Sequence, residues 1–223
     1  MRSISAADRL RRAEFHLSVE KPEQLPPDDG VEVAFAGRSN AGKSSALNAI
    51  VDQRGLARVS KTPGRTRLIN FFTVEHGKSL VDLPGYGYAA VSAETRAGWD
   101  LLLSTYLEQR ESLRGVVLIM DCRHPLTEYD FAMLEFCAEA GRPVHVLLSK
   151  ADKLSRNDRV KTLRRVESEL AALSPDFSVQ LFSATSREGL EAAQDRIAEW
   201  LGIEKSRPKK SPGDKGRESG AFK

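Results

Sequence analysis

The stretch "VEVAFAGRSNAGKSSALNAIV", Val31 to Val51, decides the fold. "VEVAFAG" (31–37) reads as a strand, and from Lys43 to Val51 the pattern turns helical. Between them lie Gly37-Arg38-Ser39-Asn40-Ala41-Gly42-Lys43-Ser44, which fit GxxxxGK[ST]. Small residues let successive backbone N–H groups turn inward around phosphate oxygens. A helix that starts near Lys43 adds its positive N-terminal end. Lys43 reaches the β- and γ-phosphates, and the Ser44 hydroxyl ligates Mg²⁺. The pattern follows a strand and opens a helix, so it implies a bound nucleoside triphosphate.

Downstream stretches narrow the nucleotide. "DLPG", Asp82-Leu83-Pro84-Gly85, ends an apolar strand. An acidic residue there holds Mg²⁺ through water, and the Gly85 N–H senses the γ-phosphate. "SKAD", Ser149-Lys150-Ala151-Asp152, closes another buried strand. Asp152 can accept from the N1–H and the 2-amino group of guanine, a donor pair that adenine lacks. Hydrogen bonds to a charged group are worth ~1.5–3 kcal/mol each, so losing both costs on the order of a hundredfold or more. Lys150 would lay its stem under the base. Phe182-Ser183-Ala184, in "FSATSREG", ends the next strand and offers the Ala184 N–H to guanine O6. Taken singly, DxxG reads equally as a turn and Asp152 as a helix cap; behind the phosphate loop they read as one site. Between that loop and DLPG lies "KTPGRTRLINFF". Thr66 is the second candidate Mg²⁺ ligand, with Thr62 competing. That polar segment has the layout of a switch ordered by γ-phosphate and magnesium.

The rest of the chain alternates strand and helix patterns, which predicts an α/β fold with a parallel sheet covered on both faces. "RLINFFTV" (67–74) and "SLVDLPG" (79–85), joined by "EHGK", predict a hairpin and hence one antiparallel edge strand. "GVVLIMDC" (115–122) and "PVHVLLSK" (143–150) are buried strands, and "SVQLFSA" (178–184) is a further one. Trp99, Leu102, Leu103, Tyr106 and Leu107 share one helix face. Thr127 caps a helix that Gly141 stops. Residues 1–30 read as a lead-in, 31–202 as the nucleotide-binding domain and 203–223 as a basic disordered tail. The tail carries Lys205, Arg207, Lys209, Lys210, Lys215, Arg217 and Lys223. It serves either solubility or contact with RNA phosphates.

Composition sets the bounds. The 223 residues, 40% of them hydrophobic, fit a single globular domain. No apolar run approaches the ~20 residues that span a bilayer, and the N-terminus has no secretory pattern. The net charge of +3 is uninformative alone. Cys122 and Cys137 read as packed, reduced thiols, and the four histidines lack zinc spacing.

In order along the chain, "GRSNAGKSS", "KTPGRT", "DLPGYGYA", "DCRHPLTEYD", "LLSKADKL" and "FSATSREG" resemble the EngB (YihA/YsxC) bacterial GTPases. These belong to the TrmE-Era-EngA-EngB-septin-like class of P-loop GTPases. The resemblance runs from about Leu25 to Leu201. It implies a three-layer Ras-like domain with a six-stranded mixed sheet, slow GTP hydrolysis with Mg²⁺, and a cytoplasmic, monomeric protein without a membrane partner. It also implies a role with rRNA in assembly of the large ribosomal subunit, and a requirement in cell division and septation. Carried over by position, the nucleotide contacts fall on Gly37 to Ser44, on Gly64, Arg65, Thr66, Arg67 and Leu68, on Asp82 to Gly85, on Ser149 to Asp152, and on Phe182 to Ala184. Mg²⁺ falls on Ser44 and Thr66. Lys43, Thr66 and Asn40 are the candidate catalytic residues.

Two positions depart from the wider GTPase pattern. Ser149 stands where an asparagine is usual, which weakens one contact to guanine N7. Tyr86 follows DLPG where Ras-like proteins often carry glutamine, and a phenol is ill suited to orient water. Hydrolysis should be slow until something completes the site. Asn40 either shapes the loop or holds a monovalent cation, K⁺, against the phosphates. His124, in "DCRHPLT", reads as a loop-packing residue rather than a catalytic one. Competing readings are a nucleotide or small-molecule kinase, which leaves SKAD unexplained, and a GTPase acting on tRNA, another RNA or membranes.

Overall fold

The computed structural model describes residues 5–57, 68–86 and 101–203. The strands are β1 (Glu14–Val19), β2 (Val31–Gly37), β3 (Ile69–Glu75), β4 (Lys78–Asp82), β5 (Leu113–Asp121), β6 (Val144–Ser149) and β7 (Phe177–Leu181). They form one sheet in the order β1-β3-β4-β2-β5-β6-β7. The α-helices are α1 (Ala6–Leu10), α2 (Lys43–Ile50), α3 (Leu101–Gln109), α4 (Glu128–Glu139), α5 (Arg156–Leu173) and α6 (Leu190–Trp200).

From β4 through β2, β5 and β6 to β7 the neighbours run parallel, as alternating strands and helices require. Central β2 and β6 are buried almost throughout, consistent with a sheet covered on both faces. One apolar cluster packs Leu102, Tyr106, Met133, Leu134, Val166 and Leu170 of α3, α4 and α5 against one face. A second packs Leu10, Leu47, Ile50, Ala193 and Ile197 of α1, α2 and α6 against the other. That is the expected three-layer architecture.

The sheet has seven strands rather than six. The extra one is β1, inside the segment read as a lead-in. It pairs antiparallel with β3, with a register shift between Phe15 and Leu17. The antiparallel strand is β3, as the hairpin predicts, but it is not an edge strand, because β1 covers its outer side. Helix α1, also in that segment, is five residues long and held by a reciprocal Ser5–Asp8 cap.

Other expectations fit closely. Thr127 caps α4 and Gly141 follows it at φ 63°. The α3 stripe of Leu102, Leu103, Tyr106 and Leu107 is buried, while Trp99 lies outside the described residues. Cys122 and Cys137 are free and buried, and burial pushes their thiols up to about 11 and about 12.

The proline-rich lead to β2 is pinned from below. Arg110, just past α3, donates to both Glu32 carboxylate oxygens, with Nη2 to Oε1 at 2.6 Å. It also donates to the carbonyls of Pro26 and Pro27, at 2.7 and 3.0 Å. The Tyr106 hydroxyl donates to Glu32 at 2.9 Å. Asp28 accepts the backbone N–H groups of Glu111 and Ser112.

Candidate functional site

The parallel strands β2, β4, β5 and β6 end together, and the predicted site residues sit at those ends. At the end of β2 the chain must pass close to β5. A Cβ on Gly37 would fall 2.8 Å from the Ile119 carbonyl oxygen, so only glycine fits. The loop then turns through left-handed backbone at Asn40 (φ 67°) and Gly42 (φ 102°) before α2 begins at Lys43. At Gly42 a Cβ would meet nothing closer than 3.6 Å, so it is the backbone angle that calls for glycine. The first-turn amides of α2 have no acceptor inside the helix and face the loop's mouth.

Neighbouring strand ends hold this loop in shape. The Ser39 N–H donates to the Tyr86 carbonyl at 3.1 Å, which brings Gly85 against Ser39. Phe35 and Asp82 are register partners in β2 and β4. Lys43 Nζ forms a partly buried ion pair with Asp82 Oδ1. The lysine meant for phosphate and the carboxylate meant for Mg²⁺ therefore face one another.

From β6, the Ser149 hydroxyl donates to the Ala41 carbonyl at 2.5 Å. Lys150 adopts φ 58° and donates from Nζ to the Asn40 carbonyl (2.8 Å) and to Asp121 Oδ2 (2.9 Å). The SKAD segment thus braces the phosphate loop directly. Ala151 N–H donates to the Phe182 carbonyl at 3.1 Å, which ties SKAD to the β7 end. Asp152 accepts from the Ser183 hydroxyl at 2.6 Å. That hydroxyl, followed by Lys153, holds the Asp152 carboxyl below its usual value, so it stays ionised as an acceptor. Ser183 is fully buried, and its oxygen also accepts the Ser186 N–H.

The structure therefore brings together Gly37 to Ser44, Asp82 to Gly85, Ser149 to Asp152 and Phe182 to Ala184. Leu68 immediately precedes β3 and is half-buried. Gly64, Arg65, Thr66 and Arg67, with Thr62, lie outside the described residues, as does the tail from residue 204. Asn40 is exposed and its left-handed backbone fits the loop-shaping role.

Sequence reasoning missed two residues. Asp121, at the end of β5, accepts from Arg123 at 2.6 Å as well as from Lys150. Burial would raise its carboxyl, but the hydrogen bonds from Arg123 and Lys150 outweigh that and hold it well below the carboxylate range. The available signal was an acid closing an apolar strand, the same position Asp82 occupies. The second is Asp130, which accepts from the buried Tyr86 hydroxyl at 3.1 Å and also caps α4 through Thr127. Burial, then the Asp130 charge, pushes the Tyr86 phenol well above its usual value. Tyr86 thus points into the core, away from the position a water-orienting residue would take. His124 is exposed, and its backbone N–H donates to the Asp121 carbonyl at 2.9 Å.

Comparison with known proteins defines the class first. A family model described as "50S ribosome-binding GTPase" matches residues 32–150, more than half of the chain. The chain is a P-loop GTPase. Among curated relatives, the probable GTP-binding protein EngB of Aromatoleum aromaticum is 56% identical over 194 residues, covering 87% of this chain and 90% of the relative. That of Thiobacillus denitrificans is 57% identical over 201 residues, covering 90% and 97%. The chain belongs to the EngB family of GTP-binding proteins. Solved structures agree on the fold. The crystal structure of a probable GTP-binding protein EngB superposes with a TM-score of 0.61 at 22% identity, covering 78% of this chain and all of that one. A point variant of Aquifex aeolicus Era bound to GDP·AlF4⁻ gives 0.57 at 18% identity, covering 81% and 59%.

Proposed function

We propose that this GTPase is a slow guanine-nucleotide switch acting in assembly of the large ribosomal subunit. The observation that carries the nucleotide reading is the bracing of the phosphate loop by Ser149 and Lys150, next to an ionised Asp152. Phosphate cradle and base-reading carboxylate are thereby one rigid unit. Slow hydrolysis follows from Tyr86, which is occupied with Asp130 and offers no amide to a water. The family model's description supports a ribosomal partner. A requirement in cell division and septation, and a cytoplasmic, monomeric state, belong to the same reading. No described helix is long and apolar enough to cross a membrane.

The donor set fits magnesium. Ser44 and Asp82 supply hard oxygen atoms beside Lys43, as Mg²⁺ prefers. Among the described residues no three acids, histidines or cysteines converge as a metal site. Ser44 and Thr66 would hold such an ion together with the nucleotide's phosphate oxygens, and Asp82 would stand behind them as a second acceptor. When bound, it neutralises charge on the β- and γ-phosphates. Lys43 must leave Asp82 for the phosphates, freeing that carboxylate. K⁺ beside Asn40 is a second proposed cofactor. Faster single-turnover hydrolysis in K⁺ than in Na⁺ is expected, and equal rates would remove it.

The switch reading is tested by co-sedimentation with ribosomal subunits in GDP and in a non-hydrolysable GTP analogue. Recovery with the large subunit should depend on the nucleotide. Equal recovery in both states, or none, would contradict it.

A further inference from the structure

Beside the nucleotide site, the β5–α4 loop and helix α5 enclose an open cavity of about 440 Å³. Its walls carry Arg123 and His124 on one side and Lys161, Thr162 and Arg165 on the other, with Thr127 at the end. Among the described residues no acidic side chain lines it. Lys161 and Arg165 are four residues apart on α5, so they share a face and repel. Such like-charged pairs destabilise a helix by ~0.2–0.5 kcal/mol. Among the described residues neither forms an ion pair; Arg165 donates only to the Pro125 carbonyl, at 3.2 Å. Arg164, three residues past Lys161 and exposed, extends the charge. Of the acids of α5, Asp158 and Glu169 share the stripe of Lys161 and Arg165 but do not line the cavity, Asp158 accepting from the Ser155 hydroxyl at 2.6 Å, and Glu167 lies on the far side of the helix.

We propose that this groove docks the phosphate backbone of RNA. The Lys161 ammonium and the Arg165 guanidinium, neither with a carboxylate partner among the described residues, beside the Thr162 hydroxyl, are phosphate-binding chemistry. A protein partner would call for an apolar, aromatic centre, which this lining lacks. The inference rests on the ribosomal reading above and deepens it by assigning a surface and a ligand class. The groove is also tied to the nucleotide site. Arg123 shares Asp121 with Lys150, which touches the Asn40 carbonyl. Thr127 shares Asp130 with Tyr86, the residue after DLPG.

The test uses the full chain and its Lys161→Gln/Arg165→Gln variant, both groove residues that contact nothing in the nucleotide site. An Arg12→Gln/Lys21→Gln variant, altering exposed cations near β1 at the other edge of the sheet, controls for net charge. Binding to large ribosomal subunits and to protein-free large-subunit rRNA is measured across a salt series, with GTP affinity and melting confirming the fold. The groove variant should bind both more weakly, and its plot of log K against log salt should be shallower by about two, one for each lost phosphate contact. The control should match the parent. An unchanged slope and affinity in the groove variant overturns the proposal. Weakening on subunits but not on protein-free rRNA also overturns it, since the partner is then a ribosomal protein. If the parent binds no subunit in any nucleotide state, it is the ribosomal reading that fails, and the rRNA series still decides the groove.

Discussion

Strand β2 carries charge at both ends, and the two ends are built to opposite rules. At its start, Glu32 is 4% exposed and held by Arg110 and Tyr106, while Arg110 also donates to two proline carbonyls. Among the described residues these charges are paired with one another and shut off from solvent. At its finish, the backbone is left-handed, and the ion pairs Lys43–Asp82 and Lys150–Asp121 are partly open to solvent. These charges hold one another in place, and on the proposed reading they exchange partners when polyphosphate binds. A closed network fixes the fold, and an open one serves a ligand. Buried charge alone does not mark a functional site; what distinguishes the two ends is how far the paired charges are closed to solvent.

The contrast breaks most visibly through Arg110→Ala. It leaves the buried Glu32 carboxylate with the Tyr106 hydroxyl but no counter-charge, and removing one partner of a buried pair costs about 3–5 kcal/mol. Urea unfolding should show that loss, whereas GTP affinity measured under folding conditions should stay at the parent value. A large drop in affinity would mean the two ends are not independent. At the other end, Asp152→Asn should raise the Kd for GTP on the order of a hundredfold or more and move preference to xanthine nucleotides. Competition binding with XTP reads this directly, and unchanged GTP binding would remove Asp152 from the site. Smallest is Ser149→Ala, which leaves the Ala41 carbonyl without its hydroxyl donor. A hydrogen bond of this kind contributes ~0.5–1.5 kcal/mol, so GTP should bind roughly three- to tenfold more weakly. Fluorescent-nucleotide titration measures it, and parental affinity would show that the brace does not shape the loop.

The open end was legible in the sequence because each element announces itself locally. Gly37 to Ser44, Asp82, Ser149 and Phe182 all follow apolar strands, so one pattern finds them all. The closed end was not, since Glu32 and Arg110 are 78 residues apart and meet only through the fold. Tyr86 and Asp130, 44 apart, were hidden for the same reason. Strand β1 was missed because Glu14, Phe15, His16 and Ser18 are exposed, which erases the apolar signature of a strand. Its identity comes from pairing with β3, a property of two segments at once.

The proposed function depends on Gly37–Ser44 enclosing the phosphates of a guanine nucleotide. Titration calorimetry of the purified chain with GTP or GDP plus Mg²⁺, with ATP as comparator, tests that most directly. Saturable heat and a raised melting temperature with the guanine nucleotides alone are expected; no heat and no shift with either, or an equal response to ATP, would contradict it.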